Sequence, residues 1–268
     1  MLGIIEETQI LYTVQPGDTL YSIASRFNST VDLIQEANAI YPPITDPYLI
    51  YPGWLLVVPA PAVQPYRSIY IVQPGDTLFS IGRRFSAHYD LLAGVNQLAD
   101  ANAILINHPL WVPAFQYEIH PGDTLTQIAS QLGISVQSIL QANEGRPGFS
   151  RDLLYPAFRL IIPAPSTRNI TVVRPPVGEY IASGVHVEGF ARVFEANVLM
   201  QIRDGNHMIV TNERFTTAQQ GAPAYGYFSL ELPFDQHPTT EEGELWVYDR
   251  SAEDGRIVDL VRVRVYFS

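Results

Sequence analysis

Tyr12-Thr13-Val14-Gln15-Pro16-Gly17-Asp18-Thr19-Leu20 recurs as Tyr70-Ile71-Val72-Gln73-Pro74-Gly75-Asp76-Thr77-Leu78, and again as Tyr117-Glu118-Ile119-His120-Pro121-Gly122-Asp123-Thr124-Leu125. Each copy opens on a β-rich or alternating triplet, turns at Pro-Gly and enters a helix with an N-cap supplied by Asp-Thr. Apolar residues follow at helical spacing: Leu20, Ile23, Ala24 and Phe27, then Leu78, Ile81 and Phe85, then Leu125, Ile128, Ala129 and Leu132. A second capped helix is expected from Ser29-Thr30, with Leu33, Ile34 and Ala37, and from Ser135, with Ile139, Leu140 and Ala142. In the middle copy it is weaker, carried by Leu91, Leu92 and Val95. Asn38, Asn96 and Asn143 stand where this helix should end, and Asn tolerates the left-handed backbone of such ends. Each copy closes on a short apolar strand stopped by proline: Leu55–Val58, Leu110–Val112 and Leu160–Ile162.

The pattern is strand, helix, helix, strand. A unit of roughly 45 residues is marginal alone by surface-to-volume scaling, so packing between neighbours is expected. Residues 10–60, 70–114 and 115–165 form the three modules, with a Pro-rich linker at 61–69 acting as a stiffer spacer. After Pro163-Ala164-Pro165 the apolar period changes to two. Strands are expected at 170–173, 185–191, 198–203, 208–216, 225–233, 244–248 and 258–267, with hairpin turns at Asp204-Gly205 and Asp254-Gly255. Residues 168–268 therefore read as an all-β sandwich of immunoglobulin type. The fold class is multidomain: three small α+β modules (βααβ) followed by that sandwich.

Composition narrows the function. The 268 residues are 47% hydrophobic and 16% charged, which excludes disorder as the general state. The net charge is −11, and both parts are acidic: 7 Arg against 13 acids up to residue 165, and 9 against 14 beyond it. Without a basic patch, nucleic acid and anionic membrane surfaces are excluded as partners. The sequence has no Cys, so disulfides, thiolate metal sites and cysteine nucleophiles are absent. The first residues show no basic region followed by a long apolar run, so no signal peptide is expected. The longest uncharged stretch, 47–66, holds five prolines, which would break a lipid-exposed helix repeatedly; no membrane span is expected.

The three segments resemble LysM domains, over roughly residues 10–165. That resemblance implies binding of N-acetylglucosamine-containing polymers such as peptidoglycan or chitin, in a shallow groove between two loops. One loop joins the first strand to the first helix; the other joins the second helix to the last strand. Carried over by position, the first groove sets Gly17, Asp18, Thr19 and Leu20 against Pro47, Leu49, Ile50 and Tyr51. The third sets Gly122, Asp123, Thr124 and Leu125 against Asp152, Leu153, Leu154 and Tyr155. The second has Gly75, Asp76, Thr77 and Leu78, but Ile104-Leu105-Ile106-Asn107 replaces Ile50-Tyr51-Pro52-Gly53, losing the aromatic and the Pro-Gly turn. Copy two is expected to bind weakest and to act as a spacer that still folds. Two alternatives stay open from the residues themselves. The aspartates read equally as turn and cap residues, and Leu49, Ile50 and Tyr51 read equally as core.

The C-terminal segment is similar to the immunoglobulin-like domain of bacterial spore germination proteins. The resemblance rests on Val172-Val173-Arg174-Pro175-Pro176, Val187-Glu188-Gly189-Phe190-Ala191, Gly226-Tyr227-Phe228 and Gly243-Glu244-Leu245-Trp246-Val247. It implies an accessory or interaction role at a bacterial cell wall, envelope or spore surface. The export route is not visible in the sequence.

Catalysis finds no support. The six histidines, at 88, 108, 120, 186, 207 and 237, lack metal-ligand spacing. Glu241-Glu242 and Glu253-Asp254 read as solvated turn acids, not an acid/base pair. No Gly-x-Ser-x-Gly or phosphate loop is present. The expected function is non-catalytic glycan binding without cofactor or metal. The alternative is a structural protein of the spore coat or envelope whose modules mediate protein contacts.

Overall fold

The computed structural model describes residues 3–60, 66–100 and 103–268. A short strand β1 (Ile4–Ile5) precedes module 1, which is β2 (Gln9–Thr13), α1 (Leu20–Phe27), α2 (Val31–Ala37) and β3 (Leu55–Pro59). Module 2 is β4 (Ser68–Ile71), α3 (Leu78–Arg84), α4 (Tyr89–Val95) and β5 (Pro109–Val112). Module 3 is β6 (Ala114–Glu118), α5 (Leu125–Leu132), α6 (Val136–Ala142) and β7 (Arg159–Pro163). The Pro-rich spacer expected between modules 1 and 2 falls largely on 61–65, which lie outside the described residues.

Modules 1 and 2 are not held apart. Strands β2 and β4 pair in parallel, Leu11 opposite Tyr70, so the two modules share a sheet ordered β3-β2-β4-β5. Strand alternation then puts the helix pairs on opposite faces. Tyr12, Leu56, Val58 and Ile71 pack with Ile23 and Ile34 of α1 and α2. Leu11, Val57, Tyr70 and Leu110 pack with Ile81 and Leu92 of α3 and α4. Because β2 and β4 run the same way, their following loops leave the same end of the sheet, where Gln15 Nε2 donates to Gln73 Oε1. In module 3, β1 occupies the outer edge of β6, with Ile4 opposite Tyr117. A two-residue strand leaves no periodic trace in the sequence.

The three asparagines end their helices as C-caps, as expected, but not through left-handed backbone. Asn38, Asn96 and Asn143 have φ of −120°, −96° and −100°, outside the left-handed region. Left-handed backbone falls one residue later, at Ala39 and Gln97, and two later at Gly145. The asparagine side chains instead stitch helix to strand. Asn38 Nδ2 donates to Ile34 O and Val57 O, and Oδ1 accepts from Val57 N, all within 2.8 Å. Asn96 repeats this with Leu92 and Trp111, and Asn143 with Ile139 and Ile161. Each amide thus satisfies the ladder groups on the outer edge of its module's last strand.

Modules 1 and 3 meet across a buried guanidinium. Arg146 Nη2 donates to Ala37 O (3.0 Å) and Asn38 Oδ1 (2.9 Å), and Nη1 donates to Asn143 Oδ1 (3.1 Å) and Arg159 O. The group stacks over Phe158 at 4.1 Å. Burial holds its pKa well below the ordinary arginine value.

The sandwich is formed by β8 (Ile170–Arg174), β9 (Glu179–Ile181), β10 (Val185–Ala191), β11 (Asn197–Asp204), β12 (Ile209–Thr217), β13 (Gly226–Leu232), β14 (Glu242–Arg250) and β15 (Ile257–Phe267). Among the described residues they make sheets ordered β13-β10-β8 and β12-β11-β14-β15-β9. Seven match the expected strands. The eighth, β9, pairs in parallel with the end of β15 and is too short to show a period. The sandwich is not tethered loosely: one apolar cluster runs from Phe115, Ile128 and Leu160 of module 3 to Val172, Val187 and Val263. Against module 2, Arg168 Nη2 lies 2.5 Å from an Asp90 carboxylate oxygen, and the Tyr225 ring rests on Gly94, where a Cβ would come within 1.9 Å.

At the joint between Tyr66 and the sandwich, burial raises the Glu179 pKa, and Glu6 nearby adds to the rise against the pull of Arg174. A carboxyl with a raised folded-state pKa contributes stability that is present at low pH and lost as pH rises through that value. Glu179→Gln is therefore expected to raise the melting temperature at pH 7 and to leave it unchanged below the ordinary carboxylate range. Calorimetry across pH 3.5–8 checks this.

Candidate functional site

The first loop is built identically three times. Asp18 N donates to Gln15 O, closing a turn with Pro16 and then Gly17 at φ 90°. Proline at the second position and positive φ at the third define a type II turn, which demands glycine there. Gly75 (φ 86°) and Gly122 (φ 92°) repeat it. No atom lies within 4 Å of a Cβ built on any of the three, so the loop tips are open and the demand is conformational.

The Asp-Thr pair divides its work. Thr19 is the N-cap, accepting from Ser22 N and completing a capping box, as Thr77 does with Ser80; Thr124 caps its helix by accepting from Gln127 N, without the reciprocal bond. The aspartate is a brace, not a cap. Asp18 Oδ2 accepts from Gln15 N (2.7 Å) and from the buried Tyr12 hydroxyl (2.8 Å). Asp76 does the same with Gln73 and Tyr70, and Asp123 with His120 and Tyr117. Burial, and then the Asp18 bond, push Tyr12 up to about 12; Tyr70 and Tyr117 are raised for the same reasons. Asp123→Ala would strand the Tyr117 hydroxyl, so a loss of about 1–3 kcal/mol is expected. Tyr117→Phe in that background should restore part of it, readable as a double-mutant cycle in denaturant melts.

The second loop returns beside the first. Gly53 N donates to Val14 O and Val14 N to Trp54 O, both 2.9 Å. Asn107–Val72–His108 and Ala157–Ile119–Phe158 reproduce this pairing. The turn thought lost in module 2 is therefore kept: Asn107 takes φ 65° where Gly53 has 93°, and His108 N still reaches Leu105 O at 3.0 Å. Asparagine is among the few residues that tolerate this region. What changes in module 2 is the surface, where Leu105 (72% exposed), Ile106 and Phe79 replace Tyr51, Pro52 and Tyr21.

The site residues separate by side chain. Leu20, Leu78 and Leu125 are buried in their module cores and have only backbone to offer. Ile50 and Ile104 are half-buried against those cores, as are Leu154 and Tyr155. Leu49, Tyr51 (54% exposed), Asp152 and Leu153 face solvent, and Pro47 is half-buried with its carbonyl accepting from Gln35 Nε2 at 2.6 Å. Two aromatic residues escaped the sequence reading: Tyr48, 87% exposed beside Leu49, and Trp54, edge-on to Tyr51 at 5.1 Å. Tyr48 stands between Pro47 and Leu49 of the carried-over loop, and that adjacency was the available signal. The second loops of modules 1 and 3 also touch: Leu55 N donates to Gly145 O (3.0 Å) and Tyr41 to Pro156 O (3.2 Å).

The two-loop unit, present three times, falls on segments that match a known family. The LysM domain matches residues 12–59, 70–113 and 117–163, together more than half of the chain. The chain belongs to the LysM family. Residues 169–256 match the immunoglobulin-like domain of bacterial spore germination. Among curated relatives, the putative sporulation-specific glycosylase YdhD of Bacillus subtilis is 39% identical over 113 residues, covering 40% of this chain and 26% of that protein. The N-acetylmuramoyl-L-alanine amidase sle1 of Staphylococcus saprophyticus is 25% identical, covering 56% of this chain and 50% of its own. The chain thus spans half or less of these relatives. The spore cortex-lytic enzyme SleL of Bacillus cereus, a solved structure, is 34% identical over 39% of this chain and 22% of that one, with a TM-score of 0.30. LysM domains mark binding to peptidoglycan-type, N-acetylglucosamine-containing glycans, and the relatives associate the chain with cell wall and spore. Among the described residues no helix is long and apolar enough to cross a membrane.

Proposed function

We propose that this chain is a non-catalytic binder of N-acetylglucosamine-containing wall polymer, peptidoglycan or a chitin-type glycan, working at a bacterial envelope or spore surface. The observation that carries it is the open first-loop turn beside solvent-facing Leu49, Tyr51 and Leu153, groups that the fold leaves unused. At this turn and helix start Asp18 N, Thr19 N and Ser22 N are bonded within the loop, while among the described residues the N–H groups of Gly17, Leu20 and Tyr21 have no partner. An acetamido group offers one acceptor, one donor and a methyl, which suits such amides beside an apolar floor. The binding residues in this reading are Gly17 to Thr19 with Pro47, Leu49 and Tyr51, and Gly122 to Thr124 with Asp152, Leu153 and Tyr155. Gly75 to Thr77 form the lesser, module 2 site.

The absence of catalysis is supported by how the acids are spent. Asp18, Asp76 and Asp123 brace turns, Glu242 pairs with Arg264 at 2.6 Å, and Asp254 with Arg256 at 3.3 Å. The sandwich serves as an accessory domain that engages envelope or spore-coat proteins. Co-sedimentation of the full chain with purified peptidoglycan and with chitin tests the reading. Pelleting with either polymer, without release of soluble sugar, is the expected result. Failure to pellet with both would favour an assembly role; release of reducing ends would overturn the non-catalytic assignment.

A further inference from the structure

A cleft of about 520 Å³ lies between α4 of module 2 and the β10, β12–β13 side of the sandwich. Its size falls within the range of small-ligand sites, roughly 300–1,000 Å³. It is not a loose gap. Asp90, on its wall, is bound by Arg168 at 2.5 Å and approached by Arg192 at 3.7 Å. Arg192 is fixed in turn by two bonds to Asn169 Oδ1 (2.9 and 2.7 Å) and lies over the Tyr225 ring at 4.9 Å. Tyr225 itself is wedged on Gly94 and donates to Arg168 O at 2.6 Å. Both walls are therefore held by contacts that cross between the domains.

The groups left over are of one kind. Gln97, Gln219 and Gln220 line the cleft, and their side-chain amides make no hydrogen bond among the described residues. Each brings an acceptor and two donors. Phe190 and Tyr227, at 5.7 Å from one another, supply half-buried aromatic surface beside them. The two guanidiniums, Arg168 and Arg192, face two carboxylates, Asp90 and Asp259, the latter accepting from Asn169 Nδ2 at 2.7 Å, so little net field remains to select an ion. Neutral amides that donate and accept, set beside aromatic faces, suit a neutral ligand dense in hydroxyl or acetamido groups with an apolar face.

We propose that this interdomain cleft is a saccharide site separate from the loop grooves, taking a neutral N-acetylated sugar unit. It is assembled only when module 2 and the sandwich are docked, which gives the immunoglobulin-like domain a direct part in ligand contact. The site does not depend on the grooves, and the test separates the two. In ¹⁵N–¹H correlation spectra of the full chain titrated with a soluble N-acetylglucosamine oligosaccharide, the side-chain NH₂ signals of Gln97, Gln219 and Gln220 should shift saturably. Q219A/Q220A, at exposed positions, should weaken that saturation about tenfold while the backbone signals of Gly17 and Gly122 respond as in the parent chain. Movement of the groove glycines with silent cleft amides overturns the cleft site and spares the grooves; the reverse pattern spares the cleft and removes the grooves. Silence of both overturns both. Cleft signals that answer only to a wall-derived peptide, through its carboxylate, also overturn the proposal.

Discussion

Arg146→Ala is expected to lower the stability of the chain by about 2–4 kcal/mol, an effect set by what its side chain leaves behind. Four acceptors lose a charged donor at once: Ala37 O, Arg159 O, and the side-chain oxygens of Asn38 and Asn143. The asparagine oxygens keep their strand partners, Val57 N and Ile161 N, but Ala37 O depends on Arg146 for its bond to module 3. The stacking on Phe158 is lost as well. Against these losses stands the desolvation of a guanidinium without a carboxylate contact, whose Nε also finds no partner among the described residues. That term keeps the net well below the sum of four charged hydrogen bonds. For a unit of 150–250 residues, 1 kcal/mol moves the midpoint by about 2–4 °C, so a fall of roughly 4–16 °C should be seen. Arg146→Lys should recover little, since a point charge cannot serve acceptors on both modules in a fixed fork. Arg84→Ala is the control: it is also an arginine donating to a carbonyl, Glu144 O at 2.9 Å, but at the surface, and should change little.

Arg146 also marks the limit of what the sequence reveals. The modules were legible because their information is local: a turn that needs Gly17, a cap at Thr19, and apolar residues three and four apart. The same locality explains the errors. Asn38 was assigned to the helix end on which it sits, whereas its partner is Val57, on a strand 19 residues on. Asp18 was read with the helix that follows it, although its main partner is Tyr12, six residues earlier in the repeat. The second loop of module 2 looked broken because Pro-Gly was missing, yet Asn107 adopts the same backbone. Its chemistry, not its shape, separates it from modules 1 and 3. The pairing of module 1 with module 3 has no local signature: Arg146 reaches Asn38 over 108 residues, and nothing in either segment names the other. The interdomain cleft was invisible for the same reason, its walls being drawn from residues 90–98 and 190–227.

Leu49→Glu with Tyr51→Glu should silence the module 1 groove without unfolding it, since both side chains face solvent and neither fills a core. The size of the effect depends on the ligand. On intact peptidoglycan or chitin, two grooves on one strand bind with an effective local concentration, and losing one should weaken binding by about 10²–10⁴. On a fragment too short to reach a second groove that multiplier never operates, so module 3 should bind as before and only capacity should fall. The corresponding change at Leu105 of module 2, the lesser site, should leave binding of both ligands almost unaffected. The coupling is favoured because modules 1 and 3 are joined by Arg146, by Leu55 on Gly145 and by Tyr41 on Pro156, so their second loops hold a fixed spacing. A rigid pair gains most when the polymer's repeat matches that spacing and nothing when it does not. Isothermal titration with short oligosaccharides and pelleting with long polymer therefore give two numbers from one variant. Equal losses on both would mean that each groove acts alone, and that three repeats serve capacity rather than avidity.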